Sequence, residues 1–488
     1  MLDSRLKPIP EIIDDLPNIS GSESHVEEVS RDDRPVFLER TPFNLQRLQS
    51  AFALGLHMHQ PLILQDGDVR TAPLIGNLQY MIERQHVHGM HDAPVFAWCY
   101  SRTADFIRDL VDAGRHPRMM LDYSGELLFG LRQMGRGDIL DNLMTVVHND
   151  RYWPCVEWLG TMWGHAVVPS TPVPDIKLHI QAWRHNFAAI FGWEALRRVR
   201  GFSPPEMHLP NHPDVCFEYL NALRESGYRW LLVQEHSAEE LDGHGLRERY
   251  LPRRLVARNS RGDEASFTAL IKTQGSDTKL VAQMQPLGEA RTQRPHALNG
   301  RHFPPLALQI SDGENGGVMM NEFPENYRGA WYQLGTEGVV GINGTEYLEL
   351  LHKEGLSEND FPPIQPLYQH VIWQQVGDRA TPERVQKAIE EARQRDHGFN
   401  MDGGSWTNNL SWVRGYENVL DPMNKLSALF HDTVDNKKVD KGSYAYRNAL
   451  YHNLVAQTSC YRYWGQSRWT DYAREICRRG MEILTRDF

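Results

Sequence analysis

Residues 53–64, "ALGLHMHQPLIL", run from an apolar stretch into two histidines one residue apart and then into a Gln-Pro break. Side chains alternate along a β-strand, so a strand here points His57 and His59 to one side, and Pro61 ends it just past them. Polar side chains at the C-terminal end of an apolar strand sit where an α/β barrel keeps its chemistry. Three uses of the pair stay open. It can ligate zinc, which needs a third and a fourth ligand. It can hold the hydroxyls of a substrate, or it can fill a core. Three more histidines, His86, His88 and His91 in "HVHGMH", read as chance surface residues of a loop.

The surrounding pattern extends this strand into a fold. From about residue 51 to 320, short β-rich runs (51–56, 229–234, 306–311) alternate with helical ones (124–134, 178–191, 215–225). The last of these helices stops at Ser226-Gly227, and a strand follows at once. Alternation of this length predicts a parallel sheet, open or closed into a barrel. Beyond about residue 365 the character is helical. "TPERVQKAIEEARQRDHG" opens with a Thr-Pro-Glu start and closes on Gly398, and 443–485 reads as helical throughout. Residues 1–45 are acidic, Ser- and Pro-punctuated and poor in aromatics, which predicts a mobile or loosely docked extension. The expected organisation is therefore a 1–45 extension, a 46–365 α/β catalytic part and a 366–488 helical part.

Composition excludes several classes. A formal net charge of −11 gives no concentrated basic face, so no nucleic-acid partner is expected. No apolar run approaches 18 residues, so no membrane span is expected, and "MLDSRLKPIPEIIDD" lacks the apolar core of a signal peptide. Cys99, Cys155, Cys216, Cys460 and Cys477 are widely spaced with no CxxC pair, which fits a reduced, cytoplasmic chain. The 13 Trp, 18 Tyr and 22 His suit a site that stacks flat, hydroxyl-rich ligands. GxGxxG after a strand, GxxxxGK[ST], GxSxG and HExxH are all missing, so nucleotide, serine-hydrolase and zincin chemistries lack support.

Two further segments place carboxylates at the ends of apolar runs. In "GFSPPEMHLPNH" (201–212), Glu206 sits on a stiff, proline-bounded stretch. Such a position suits a nucleophile, which needs to be held in place, though an ordinary loop glutamate has the same surroundings. In "LALQISDGENGGVMMNEF" (306–323), an apolar strand runs into Asp312 and Glu314, followed by two glycines. A calcium loop is not matched, since the EF-hand spacing and its terminal bidentate Glu are missing. Burial beside a second carboxylate raises one pKa, which suits a general acid. Asp312 and Glu314 face alike on a strand, and sequence physics does not choose between them.

Taken together, these segments resemble glycoside hydrolase family 57, an α-glucan-active group with an incomplete (β/α)7 barrel and a helical C-terminal region. "HMHQP" is similar to the family's first region and "VEWLGTMWGHAVVPSTP" (156–172) to its second, which places His165 in the site. "GFSPPE" is similar to the third, with Glu206 at the nucleophile position, and "ISDGENGG" to the fourth, with Asp312 at the acid/base position. "GGSWTNNLSWVRGYENV" (403–419) resembles the Ser-Trp stretch lining the substrate groove, and "VAQTSCYRYWG" (455–465) the last, helical region. The common order over residues 51–470 carries the resemblance. One departure stands in the third region, where Ser203-Pro204 replace a frequent Trp-Leu pair, which affects the sugar subsite beside the nucleophile.

The resemblance implies a retaining double displacement on α-glucans or maltooligosaccharides, of the α-amylase or 4-α-glucanotransferase type, without metal or cofactor. Glu206 would attack and Asp312 would serve as acid/base. His57, His59, His165 and Glu314 would bind substrate, with Trp406 and Trp412 as stacking faces. Two other readings remain: a metal-dependent hydrolase of the α-mannosidase or deacetylase type, with His57 and His59 as ligands, and a non-catalytic glucan-binding protein.

Overall fold

The apolar run before His57 lies at the centre of the molecule. The computed structural model describes residues 7–273, 278–314, 316–405 and 413–488. Seven strands with parallel neighbours frame the site: β1 (Leu48–Met58), β2 (Met119–Tyr123), β3 (Val156–Trp158), β4 (Gly201–Phe202), β5 (Trp230–Gln234), β6 (Glu264–Lys272) and β7 (Leu306–Asp312). Strand β1 is buried along its length except at Gln49. Both of its faces are covered, which is why it reads as nearly continuous apolar sequence rather than as an alternation. At Gly55 an added Cβ would lie 2.9 Å from Ile310 Cγ1, so β7 packs closely only because this residue has no side chain.

Parallel pairings join β1 to β2, β2 to β3, β4 to β5, β5 to β6, β6 to β7 and β7 back to β1. A parallel bridge between Gly160 and Phe202 links the stretch after β3 to β4. The whole sheet is mixed and has 11 strands. Gly338–Gly341 pairs in parallel with the first half of β1, and Arg253–Arg258 runs antiparallel to β6. Among the helices that follow the strands are α1 (Ala93–Asp112), α2 (Gly125–Gln133), α3 (Val173–Phe191) and α4 (Pro213–Glu225). Ser124 caps α2 by accepting from Leu127 N at 3.2 Å.

The C-terminal part contains α5 (Glu417–Val434), α6 (Tyr444–Val455), α7 (Cys460–Tyr463) and α8 (Arg468–Asp487). The expected continuous helix over 443–485 is thus interrupted twice. After Val455, tertiary hydrogen bonds replace the next helical turn: Gln457 Nε2 donates to Asp175 Oδ2 at 2.7 Å and Ser459 N donates to His165 O at 3.2 Å. Gly465 (φ 105°) and Ser467 (φ 73°) then turn the chain into α8. Leu426, Leu454 and Ile476 of these helices belong to the same buried cluster as Leu54 and Leu121 of the sheet.

The expectation of a loosely docked N-terminal extension is corrected from residue 7 onward. Ile19, Val26 and Val29 are buried in the main core, and Val36 and Phe37 pack on Trp153. Arg132 pairs with Glu11 at 2.6 Å, and Trp193 Nε1 donates to Lys7 O at 3.0 Å. The apolar residues spaced among the acidic ones find a surface to bury, which composition alone does not reveal. All five cysteines are free and buried. Among the described residues, no helix is long and apolar enough to cross a membrane.

Candidate active site

Three neighbouring strands end in a row of polar residues. In the parallel register, His57 on β1 lies opposite Asp312 on β7 on one side and Asp122 on β2 on the other. His57 Nδ1 is 2.8 Å from Asp122 Oδ2, and both side chains are buried. Burial works against a charge on His57, but the Asp122 carboxylate, with Asp312 and Glu206 beyond it, outweighs that and holds the imidazole up at about 10. His57 is therefore a buried imidazolium at neutral pH.

The other two histidines are neutral. Burial, and then the charge on His57, push His59 well below the ordinary histidine value, and His165 is lowered by burial and by the neighbouring histidines. His165 Nε2 lies 2.8 Å from His57 Nε2, an arrangement in which the imidazolium N–H donates to the neutral ring. His165 Nδ1 meets Ser459 Oγ at 2.8 Å, and His59 Nδ1 meets Ser124 Oγ at 2.7 Å. His57 and His59, expected on one side of a strand, do enter one site, although β1 itself stops at Met58.

Glu206 sits in a short turn, Pro205–Met207, between Pro204 and His208. Its φ is 56°, that of Met207 is 55° and that of His165 is 51°. Left-handed backbone at residues other than glycine costs on the order of 1–3 kcal/mol each and persists where the surroundings over-determine it, commonly at functional sites. Glu206 Oε1 comes within 3.9 Å of His165 Nε2. Its side chain is 12% exposed and so keeps access to solvent.

Asp312 and Glu314 are separated by environment. Asp312 ends β7 and is partly exposed, whereas Glu314 is buried. Glu314 Oε1 accepts from Tyr100 OH at 3.3 Å and from His59 N at 3.4 Å, and among the described residues its Oε2 has no hydrogen-bond partner. Burial, then the charge of Asp312, raise Glu314 to about 8, so it is largely protonated at neutral pH. The environment thus makes the distinction that sequence could not, with one carboxyl facing solvent and one held neutral.

A cavity of about 30 Å³ brings these groups together, lined by His57, His59, His165, Glu206, Asp312 and Glu314, with Gln60, Pro61, Cys460, Tyr463 and Trp464 completing its wall. Trp406 and Trp412 lie outside the described residues. The stretch before them is anchored beside the Glu206 segment, where Gly403 N donates to Asn211 Oδ1 at 2.7 Å and Leu209 bridges Gly404. His86, His88 and His91 are exposed and take no part. Sequence reading missed Asp122, Ser124, Ser459 and Cys460. The signal for the first two was there: "MMLDYSGE" is another apolar run ending in polar residues. Ser459 and Cys460 lie in "VAQTSCYRYWG", whose resemblance marked the stretch but not these side chains, which enter through the interruption after α6.

Beside the imidazolium stand two partly exposed carboxyls, Glu206 and Asp312, and one buried, Glu314, a set that can divide nucleophilic and acid/base work. Comparison with known proteins bears on part of this cavity. Residues 53–268 match the model of glycosyl hydrolase family 57. The family 57 resemblance read in the sequence is thereby borne out, over the stretch that holds His57, His59, His165 and Glu206.

Among solved structures, a 4-α-glucanotransferase from Thermococcus litoralis is 14% identical with a TM-score of 0.54, over 90% of this chain and 60% of that one. This likeness shows a shared fold, and this chain spans 60% of that protein's length. A family 57 branching enzyme from Thermococcus kodakaraensis is 12% identical, with a TM-score of 0.47 over 90% of this chain and 89% of that one. An α-amylase from Thermotoga maritima is 10% identical, with a TM-score of 0.46 over 90% and 93%. No curated protein is matched.

Proposed function

We propose that this protein is a retaining glycoside hydrolase or transglycosylase that acts on α-glucans. The observation that carries the reading is one small cavity lined by Glu206, Asp312 and three histidines drawn from separate strand ends. The family 57 match over residues 53–268 supports it. The ring of parallel pairings from β1 through β7 supports an incomplete (β/α)7 barrel as its frame, with residues 46–365 as the catalytic part and 366–488 as a helical part that adds Ser459 and Cys460 to the site.

In this reading Glu206 attacks the anomeric carbon while Asp312, in its protonated form, gives that proton to the departing glycosidic oxygen. Asp312 then takes a proton from water or from a sugar hydroxyl, which opens the glycosyl-enzyme to hydrolysis or transfer. The proline-bounded, left-handed turn at Glu206 fixes the backbone that carries the nucleophile. The imidazolium of His57 places positive charge near Glu206. His59, His165 and the protonated Glu314 supply neutral donors and acceptors to sugar hydroxyls, and Trp406 and Trp412 supply stacking faces.

The test is incubation with maltooligosaccharides, amylose and amylopectin. New reducing ends mean hydrolysis, chain-length redistribution without them means transfer, and new branch points mean branching. Proton NMR of the first-formed product should show the α-anomer; inversion would sink the retaining mechanism. Activity is expected to survive exhaustive dialysis against a chelator. Stoichiometric zinc lost together with activity would favour the metal-dependent alternative.

A further inference from the structure

Cys460 and Tyr463 stand in the cavity wall, and the hydrogen bonds behind them fix which way their own hydrogens point. Ser124 is fully buried. Among the described residues its Oγ has two hydrogen-bond neighbours, Leu127 N at 3.2 Å and His59 Nδ1 at 2.7 Å. A backbone N–H only donates, so the serine hydroxyl hydrogen has one acceptor, His59 Nδ1. The reverse arrangement, with Nδ1–H donating to the serine, would leave a buried hydroxyl hydrogen unpaired. His59 is neutral, held so by burial and then by the charge on His57. Its single ring proton therefore sits on Nε2.

His59 Nε2 lies 3.2 Å from Cys460 Sγ. With the proton on Nε2 the ring donates to the sulfur, and the Cys460 S–H turns to a different acceptor. Tyr463 OH is that acceptor, 3.6 Å from the sulfur. The phenol oxygen accepts on this side, so its own O–H is directed away from Cys460 and into the cavity that Glu206 and Asp312 line. From Leu127 N through Ser124, His59 and Cys460 to Tyr463, every donor points the same way, and each bond polarises the next. The donor that His59 supplies thus reaches the cavity through Tyr463. Burial, and then Cys460 and the Glu206 carboxylate, hold the phenol well above the ordinary tyrosine value, so it keeps its hydrogen at neutral pH. Glu206 acts on the phenol more strongly than Asp312 does, and it acts on Cys460 as well. At about 30 Å³ the cavity spans one water-sized group, which brings its walls within reach of one another.

We propose that Tyr463 is a further catalytic residue, an oriented neutral donor to the carboxylate of Glu206, and that Ser124, His59 and Cys460 position it. The hydrogen bond stands on the geometry, whereas its catalytic part rests on the glucan reading. In the second half of the double displacement, the oxygen of water or of a sugar hydroxyl bonds to the anomeric carbon. The bond from that carbon to Glu206 breaks, its electron pair stays on the carboxylate, and Asp312 takes the proton. Negative charge thus develops on Glu206 where the Tyr463 O–H points, so the donor favours release of the glycosyl-enzyme.

The test compares the full-length protein with Y463F. In a carboxyl-carbon NMR titration, the Glu206 signal, identified by its loss in E206Q, is expected to move to higher pH in Y463F, because the ionised form loses a donor. His57, His59, His165, Asp312, Glu314 and Cys460 surround the cavity in both proteins, so the difference isolates the phenol. With a maltooligosaccharyl fluoride, whose good leaving group makes the first step fast, kcat is expected to fall about 10²-fold, as when one donor to a developing oxyanion is removed. KM is expected to fall with it, and the glycosyl-enzyme to accumulate in intact-protein mass spectra. C460A breaks the chain and is expected to lose more kcat than C460S, which keeps a donor and an acceptor. Nitrogen NMR of the histidine rings, with His59 assigned by H59Q, should find its proton on Nε2. An unmoved Glu206 titration or an unchanged kcat in Y463F overturns the proposal, as does a His59 proton on Nδ1 or a C460A as active as C460S. If no glucan is turned over and the titration still moves, the hydrogen bond stands and the glucan reading falls instead.

Discussion

At Glu206 and Asp312 the chemistry is concentrated in two oxygen atoms, and conservative substitutions probe it. E206Q and D312N keep the shape of each side chain, so their expected effect is a loss of kcat on the order of 10²–10⁴-fold or more, with an unchanged thermal melt. A non-catalytic glucan binder would show neither loss. Asp122 gives a second prediction. It is buried against the imidazolium of His57, and removing one member of a buried pair costs roughly 3–5 kcal/mol. D122N is therefore expected to lower the unfolding free energy at neutral pH, as read from urea melts. The sign with pH follows from His57, whose folded value of about 10 stands above its ordinary 6.5. The stabilisation is complete below pH 6.5 and is lost as pH rises through about 10. The gap between the unaltered protein and D122N should narrow over that range, and a gap that widens would contradict a charged His57.

At the scale of elements, the site depends on where secondary structure stops. Strand β1 ends at Met58, the turn before α2 offers Ser124, and α6 gives way after Val455 so that Ser459 reaches His165. Helix α2 starts at Gly125, where an added Cβ would lie 2.0 Å from Trp163 Cδ1. Overpacking of this kind costs about 1–3 kcal/mol. G125A is expected to destabilise the fold by that order and to raise KM, since displacing α2 moves Ser124 off His59; a KM unchanged in the folded variant would detach α2 from the site. How much of this was legible follows from the kind of signal involved. Strands β1, β5 and β7 were read from apolar runs bounded by polar residues, and α4 from its helical run and its stop at Ser226-Gly227. The first interruption of 443–485, after Val455, was not legible, because the bonds there run to Asp175 and His165, remote in sequence.

For the whole molecule, the N-terminal segment decides the clearest test. It was read as loosely docked because its composition is acidic, yet Ile19, Val26 and Val29 join the main core. At about 1.5–3 kcal/mol for each large apolar side chain fully buried, their loss is comparable with the ~5–15 kcal/mol that holds a domain folded. A chain lacking residues 1–45 is expected to lose its cooperative thermal transition. A truncated protein melting within a few degrees of the full chain would show the segment to be dispensable.

The sequence by itself determined the α/β class, the polar ends of β1 and β7, the stiff setting of Glu206 and the order of motifs that resembles family 57. These are local properties: periodicity, proline, and polar residues closing apolar runs. Tertiary structure alone decided that Glu314 is held protonated, that His57 is charged while His59 and His165 are not, and that Cys460 stands beside His59. Each of those depends on burial and on the field of groups distant in the chain, and neither quantity is carried by a stretch of sequence taken alone.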